Sequence, residues 1–300
     1  MRGWLTHWRE ATVALGRIYE YQATLPNGNV SKRKVFLSVG TGVIFGLKDR
    51  SKITPWLLTA RHVLYEPSEH WNPSSLLIRF SWMDEMPVEK SPGLILPLKV
   101  AGKRKWIPHP NKKVDLACVP LPLHKKPYGR KTWPQISLEE IGTTKDLYEG
   151  EPIVLLGYPD TLAPDFGARP LVRQGIVSWV SSNAPDSSLF CIDSHVFPGN
   201  SGGPVFRWSE NLDRPQRPNT KVDVCFLGLV TQARIHQLHL LAGGKEIEVF
   251  LQKKKPHETL FSQSYIGLGL VEPATRVKEL LQFAQKPKAR KRKTKPALKK

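Results

Sequence analysis

The feature that most constrains this chain is a glycine-rich turn, Gly199-Asn200-Ser201-Gly202-Gly203-Pro204, set between two apolar segments. The segments from Leu189 to Val196 and from Val205 to Phe206 predict β-strands that lead into and out of the turn. Glycine adopts backbone angles that other residues avoid, and it lets another chain approach closely. A serine in such a turn is accessible and could attack a substrate. A tight hairpin without chemistry is the simpler interpretation.

A serine hydroxyl becomes a nucleophile only beside a base that a third group orients. Among the nine histidines, His62 follows an apolar run, Trp56-Leu57-Leu58-Thr59-Ala60, and so lies at a predicted strand end. Asp115 lies where a polar loop enters the apolar strand Leu116 to Val119, where a carboxylate needs a hydrogen-bond partner. Asp84 is the rival for this role. Taken singly, His62 is explained as a core histidine and Asp115 as a turn cap, but the order His, Asp, Ser favours a joint function.

Three segments together resemble the catalytic motifs of trypsin-like (chymotrypsin-fold) serine proteases, in the same chain order. They are Thr59-Ala60-Arg61-His62, Val114-Asp115-Leu116-Ala117 and Gly199 to Pro204. Asn200 stands where digestive trypsins carry aspartate, so the turn is more similar to the bacterial and HtrA-like branch. The resemblance covers roughly residues 35–284.

The resemblance implies that the chain is a serine endopeptidase. Ser201 would be the nucleophile, His62 the general base and Asp115 the group that orients His62. The amides of Gly199 and Ser201 would form the oxyanion hole. The implied reaction is peptide hydrolysis through an acyl-enzyme intermediate, with a protein or peptide as substrate and with no metal or organic cofactor.

The same resemblance implies four substrate-binding residues, His195, Thr231, Gln232 and Ala233. His195 lies six positions before Ser201, near the base of the primary pocket. There its imidazole either favours acidic or polar side chains or packs against the barrel. Thr231, Gln232 and Ala233 belong to the strand that pairs with the substrate backbone. Ala233 replaces a glycine of many relatives, so its methyl group would narrow the pocket entrance.

The expected fold is all-β, with two antiparallel six-stranded β-barrels and a C-terminal helix. The first barrel, carrying the histidine and the aspartate, is expected at 11–121, and an inter-barrel linker rich in proline and lysine at 122–144. The second barrel, carrying the serine, and the C-terminal helix are expected at 145–285, because apolar residues recur at helical spacing near its end. We expect no PDZ domain after the helix, only a disordered basic tail at 286–300.

The chain carries a formal net charge of +19, and Lys286–Lys300 contains nine Lys or Arg residues and no acid. Such a tail attracts polyanions without base recognition, so we expect at most a weak nucleic-acid or polyanion contact there. A solvated tail without a partner is an equal alternative. Two other functions stay open: a catalytically silent peptide-binding module on the same fold, and a nucleic-acid-associated protein that acts through this tail.

Two further observations concern the compartment of the protein. No apolar stretch is long enough to span a membrane, and the N-terminal segment lacks the apolar core and cleavage site of a signal peptide. The three cysteines, Cys118, Cys191 and Cys225, have neither disulfide-framework nor zinc-site spacing. We therefore expect a cytoplasmic protein without a metal site.

Overall fold

The computed structural model describes most of the chain. The described residues are 3–24, 28–49, 52–81, 93–122, 132–141, 144, 146–159, 169–183, 187–207, 226–239, 241–242, 245–246 and 261–285. Two sequence expectations lie outside these residues: the rival carboxylate Asp84 and the basic tail Lys286–Lys300.

The first half of the chain forms a curled sheet of eight strands. Its strands are β1 (Thr12–Thr24), β2 (Val30–Asp49), β3 (Lys52–Ala60), β4 (Ser75–Phe80), β5 (Leu94–Pro97), β8 (Ile107–Pro108), β9 (Leu116–Pro120) and β10 (Ile136–Ser137). The short strands β6 (Lys99–Val100) and β7 (Lys103–Arg104) make a separate hairpin. Seven strands of the sheet follow the order β5-β4-β1-β2-β3-β9-β8, and β10 adds to β2.

The second half forms a closed antiparallel barrel in the order β11-β12-β13-β18-β15-β14. These strands are β11 (Pro152–Gly157), β12 (Leu171–Trp179), β13 (Phe190–Asp193), β14 (Pro204–Arg207), β15 (Phe226–His239) and β18 (Phe261–Pro273). A small hairpin pairs β16 (Leu241–Ala242) with β17 (Lys245–Glu246).

Within the described residues, three helices accompany the strands: α1 (Gly3–Ala11), α2 (Arg61–Leu64) and α3 (Ala274–Gln285). The described 3-10 turns include Pro67–Glu69 and Leu138–Glu140. The apolar residues Val277, Leu280 and Leu281 of α3 are fully buried, as their helical spacing predicts. No helix in the described part of the chain is long and apolar enough to cross a membrane.

The all-β class, the closed six-stranded second barrel and the C-terminal helix are confirmed, but the first half differs in detail from the expected six-stranded barrel. Its sheet has eight strands and curls without closing, because the edge strands β5 and β8 have only four and two residues and do not pair with each other. Part of the predicted linker is regular, since Ile136 and Ser137 pair in parallel with Phe45 and Gly46 of β2.

An aromatic cluster joins the two halves of the fold. Trp8 of α1 is fully buried, and its ring stacks on Phe226 at 5.5 Å and meets Phe206 edge-on at 4.4 Å. Phe45 of the first sheet packs against Phe226 at 5.8 Å. Aromatic rings bury large apolar areas, so this cluster holds the two halves in one orientation.

Strand β9 is buried on both faces, which explains its unbroken apolar sequence. Leu116 and Cys118 face the core between the two halves, whereas Ala117 and Val119 face the core of the first sheet. Ala60, at the end of β3, pairs with Leu116, at the start of β9. The residues beyond these paired ends therefore meet at one edge of the sheet.

Candidate active site

The glycine-rich turn connects β13 to β14, and its backbone needs glycine at two positions. Gly199 and Gly202 have φ angles of 87° and 88°, in the left-handed region. A Cβ atom on Gly202 would lie 2.0 Å from the Thr41 carbonyl oxygen, so no side chain fits there. Ser201 lies between these glycines and is half-buried, which leaves its residue partly open to solvent.

The main-chain amides of the turn fall into two groups. Those of Asn200, Gly202 and Gly203 donate hydrogen bonds to main-chain carbonyls at 2.6–3.1 Å. Within the described residues, the amides of Gly199 and Ser201 donate to no acceptor. Buried amides are nearly always bonded, and Gly199 is buried. Two alternate unbonded amides are therefore available to an anionic oxygen.

His62 and Asp115 meet at the edge of the sheet where β3 ends and β9 begins. The Asp115 carboxylate accepts the His62 Nδ1–H at 2.7 Å through Oδ2 and the His62 main-chain N–H at 3.1 Å through Oδ1. The Asp115 carbonyl also accepts the Arg61 main-chain N–H at 3.0 Å. An ionised carboxylate only accepts, so it selects the tautomer with the proton on Nδ1 and leaves the Nε2 lone pair free.

Two threonines, one on β2 and one on β3, connect the serine turn by hydrogen bonds to the sheet that leads to His62. The Thr41 amide donates to the Ser201 carbonyl at 2.8 Å, and the Thr41 hydroxyl donates to the Gly199 carbonyl at 2.7 Å. The Thr59 hydroxyl, three residues before His62, donates to the Thr41 carbonyl at 2.6 Å. No hydrogen bond joins Ser201 to His62 in this structure, although both residues are described, so the two segments are connected through Thr41 and Thr59.

A buried carboxyl that the motif analysis missed lies behind Asp115. Glu272, near the end of β18, is 4% exposed, and its Oε1 accepts the Asp115 main-chain N–H at 3.1 Å. Burial raises the pKa of Glu272, and the neighbouring Asp115 charge adds to this effect. The only local signal in the sequence is an acid that directly follows the apolar run Leu268 to Val271.

The four proposed substrate-binding residues lie on both sides of β18. His195 is exposed, has a φ angle of 50°, and its carbonyl accepts a hydrogen bond from the Arg173 guanidinium. It lines a pocket of about 320 Å³ with Arg173, Gln174, Ser194 and Phe197. The amides of Ser194 and Val196 bond the Gly267 carbonyl on one side of β18.

On the other side of β18, Thr231, Gln232 and Ala233 belong to β15. Thr231 is buried, with its hydroxyl 3.5 Å from the Leu270 carbonyl, whereas Gln232 is exposed. Ala233 is half-buried and pairs with Gly269 of β18. Along its other edge β15 pairs with β14, whose ladder begins at Pro204 opposite Leu229. Beyond Val230 the described strands leave that edge of β15 unpaired.

The side chains at this site are a hydroxyl, an imidazole and carboxylates. Among the described residues, no three His, Cys, Asp or Glu side chains are grouped so that they could hold a metal ion. Cys118 and Cys191 are free thiols.

Comparison with known proteins agrees with this geometry. The family described as a trypsin-like peptidase domain matches residues 40–212. Relatives named "Serine protease HtrA-like" from Staphylococcus aureus strains USA300, NCTC 8325 / PS 47 and COL are each 35% identical over an alignment 120 residues long, which covers 36% of this chain. The match spans only 13% of the length of those relatives. Since the family match extends over more than half of its length, the chain belongs to the trypsin-like peptidase family.

Proposed function

We propose that this chain is a serine endopeptidase in which Ser201 is the nucleophile, His62 the general base and Asp115 the orienting carboxylate. The observation that carries the proposal is the 2.7 Å hydrogen bond from His62 Nδ1 to Asp115 Oδ2. This bond holds the imidazole in the tautomer that accepts a proton at Nε2. Serine and base are often loosely bonded in a resting enzyme and come together when substrate binds.

Peptide hydrolysis needs only these three side chains, two main-chain amides and water. His62 Nε2 takes the proton of Ser201 as the serine oxygen bonds to the scissile carbonyl carbon. The carbonyl oxygen becomes an anion, which the two unbonded amides of Gly199 and Ser201 stabilise. The C–N bond then breaks and His62 returns its proton to the leaving amine. Water repeats the same steps on the acyl-enzyme and releases the carboxylic acid.

We also propose that the substrate main chain pairs with the open edge of β15 at Thr231, Gln232 and Ala233. An extended peptide adds readily to an unpaired strand edge, because the main-chain donors and acceptors there lack partners. Ser201 lies close to this edge, since the Gly202 amide donates to the Val230 carbonyl at 2.6 Å. We extend the proposal to His195, whose pocket would receive a substrate side chain.

Labelling with a serine-reactive phosphonate probe tests this function. We expect the wild-type chain to be labelled and to cleave a peptide library, and Ser201→Ala to lose both properties while it folds normally. Ser187→Ala is a matched control, because Ser187 is exposed and contributes only its carbonyl, to Arg276. Equal labelling of Ser201→Ala and wild type would refute the role of Ser201. A wild-type chain that binds peptides without labelling or cleavage would be a silent binding module.

A further inference from the structure

Glu272 joins the two halves of the fold behind the proposed catalytic aspartate. It lies on β18 of the closed barrel, the half that carries Ser201, whereas Asp115 belongs to the first sheet. Its carboxyl accepts the Asp115 main-chain N–H at 3.1 Å, and the Asp115 carboxylate accepts both bonds from His62. A single chain of hydrogen bonds therefore runs from Glu272 through Asp115 to the His62 ring.

Packing alone is a poor explanation for an acid at this position. Glu272 is 4% exposed and lies beside a second carboxylate, so both burial and repulsion disfavour its charge and raise its pKa. An amide would make the same hydrogen bond without that cost. Buried acids that the fold keeps in spite of such a cost concentrate at functional sites.

The charged groups around Glu272 do not neutralise it locally. Asp115 faces it from the loop before β9, and Arg276 and Glu279 face it from α3, while its strand partner Leu229 is apolar. Arg276 favours the ionised form of Glu272, but its guanidinium is bonded elsewhere, to Glu279 at 2.9 Å and to the Ser187 carbonyl at 3.0 Å.

The other acid of this cluster, Glu279, is engaged away from the proposed active site. Its carboxylate is 46% exposed and lies 3.3 Å from the ring of the buried His109. Solvent therefore screens Glu279 more strongly than Glu272. The contact that Glu272 makes toward the proposed active site is its hydrogen bond from the Asp115 main-chain N–H.

We propose that Glu272 is a positioning residue that holds the main chain of Asp115 in place and whose negative charge favours the protonated imidazole of His62. The carboxyl oxygen does the first by accepting the Asp115 N–H. The charge does the second when His62 takes the serine proton, because a negative charge behind Asp115 then attracts the imidazolium in addition to the Asp115 carboxylate. Arg61, whose Nε lies 3.7 Å from Asp115 Oδ1, and Glu66, whose charge interacts with His62, face the same pair in every variant. The kinetic part of this inference rests on the proposed function.

Two substitutions separate these roles. Glu272→Gln keeps an acceptor for the Asp115 N–H but removes the charge, so kcat should fall, by less than in the alanine variant described next. The acid limb of its pH–rate profile should move to lower pH, because His62 is then harder to protonate. Glu272→Ala removes the acceptor and leaves a buried N–H unpaired, so kcat should fall about 10- to 100-fold with little change in KM. Glu279→Gln, the exposed acid of the same cluster, is the matched control and should change neither.

Thermal unfolding gives a second readout, because Glu272→Gln should raise Tm, whereas a substitution that disrupts packing lowers it. A carboxyl with a raised pKa binds more protons in the folded chain than in the unfolded chain, so its contribution to stability decreases as pH rises above the ordinary Glu range. Glu272→Gln removes this penalty. Its Tm should therefore exceed that of wild type near pH 8, and the difference should shrink toward pH 4. A Tm that falls on this replacement at pH 8 would instead mean that the contacts of the ionised carboxylate stabilise the fold.

The decisive test does not require turnover. In the Ser201→Ala background, NMR titration of the His62 ring protons should give a lower midpoint pH with Glu272→Gln than without it, and no change with Glu279→Gln. An unmoved midpoint, or wild-type kcat in Glu272→Ala, would overturn the inference while the protease function stands. If Glu272→Ala does not fold, the inference is tested by Glu272→Gln alone, through the NMR titration of the His62 ring protons. A wild-type chain without hydrolysis would refute the proposed function but leave the titration interpretable.

Discussion

Replacing Asp115 with asparagine is the sharpest test of how this site orients its base. The Asp115 carboxylate accepts two bonds from the same residue, the His62 main-chain N–H at 3.1 Å and the ring Nδ1–H at 2.7 Å. Asparagine has nearly the same shape but offers only one oxygen, so its NH₂ group must face one of these two donors.

The geometry decides which bond is lost. The main chain of His62 is fixed, because β3 pairs with β9 and the Arg61 amide donates to the Asp115 carbonyl at 3.0 Å. The amide oxygen therefore stays on the main-chain N–H, and the NH₂ group faces Nδ1. The ring responds by moving its proton to Nε2, the nitrogen that must accept the serine proton. We expect kcat/KM to fall about 10⁴-fold, which at about 1.36 kcal/mol per tenfold is about 5.4 kcal/mol in the barrier.

The assay is steady-state cleavage of one neutral peptide chosen from a library, with circular dichroism melting to show that the variant folds. Asp84→Asn is the control, because Asp84 was the rival for the orienting carboxylate. Loss of activity in Asp84→Asn with normal activity in Asp115→Asn would refute the assignment. A loss in Asp115→Asn of tenfold or less would refute the argument from the tautomer.

A substitution at Thr41 tests the hydrogen bonds that hold the Ser201 turn, and a truncation tests the basic tail. Thr41→Val should weaken the fold by about 1–3 kcal/mol in denaturant unfolding and lower kcat, because the buried hydroxyl bonds the Gly199 carbonyl at 2.7 Å and the Tyr158 amide at 3.0 Å. Thr41→Ser should keep both properties, and equal stability of the valine variant would contradict this account. Truncation after Gln285 keeps α3 whole, so turnover of a neutral peptide should be unchanged. Removal of Lys286–Lys300 should weaken DNA binding and flatten its salt dependence, and equal DNA affinity would assign the contact to another surface.

Local sequence signals were sufficient to select the candidates for the proposed chemistry. Glycines on both sides mark the Ser201 turn, and polar residues next to apolar strands mark His62 and Asp115. These signals lie within a few neighbouring residues, because turn geometry and strand burial are local properties. The same is true of α3, whose helical spacing predicted its buried face.

The contacts between distant segments depended on the tertiary structure. Glu272 reaches Asp115 across 157 positions, and Thr41 reaches the Gly199 carbonyl across 158. Neither residue has a local pattern that distinguishes it, since a lone acid after a strand and a threonine between glycines have many ordinary explanations. Their partners follow from which strands become neighbours.

The sequence by itself predicted the all-β class, a second barrel and the candidates for nucleophile, base and acid, because its three motifs are local and resemble those of trypsin-like proteases. Only the tertiary structure decided that the first sheet stays open and that β10 adds in parallel to β2. It also decided that Trp8 joins the aromatic cluster between the halves and that Glu272 lies against Asp115. Strand pairing and core packing are non-local, so their energy depends on residues that the chain brings together only when it folds.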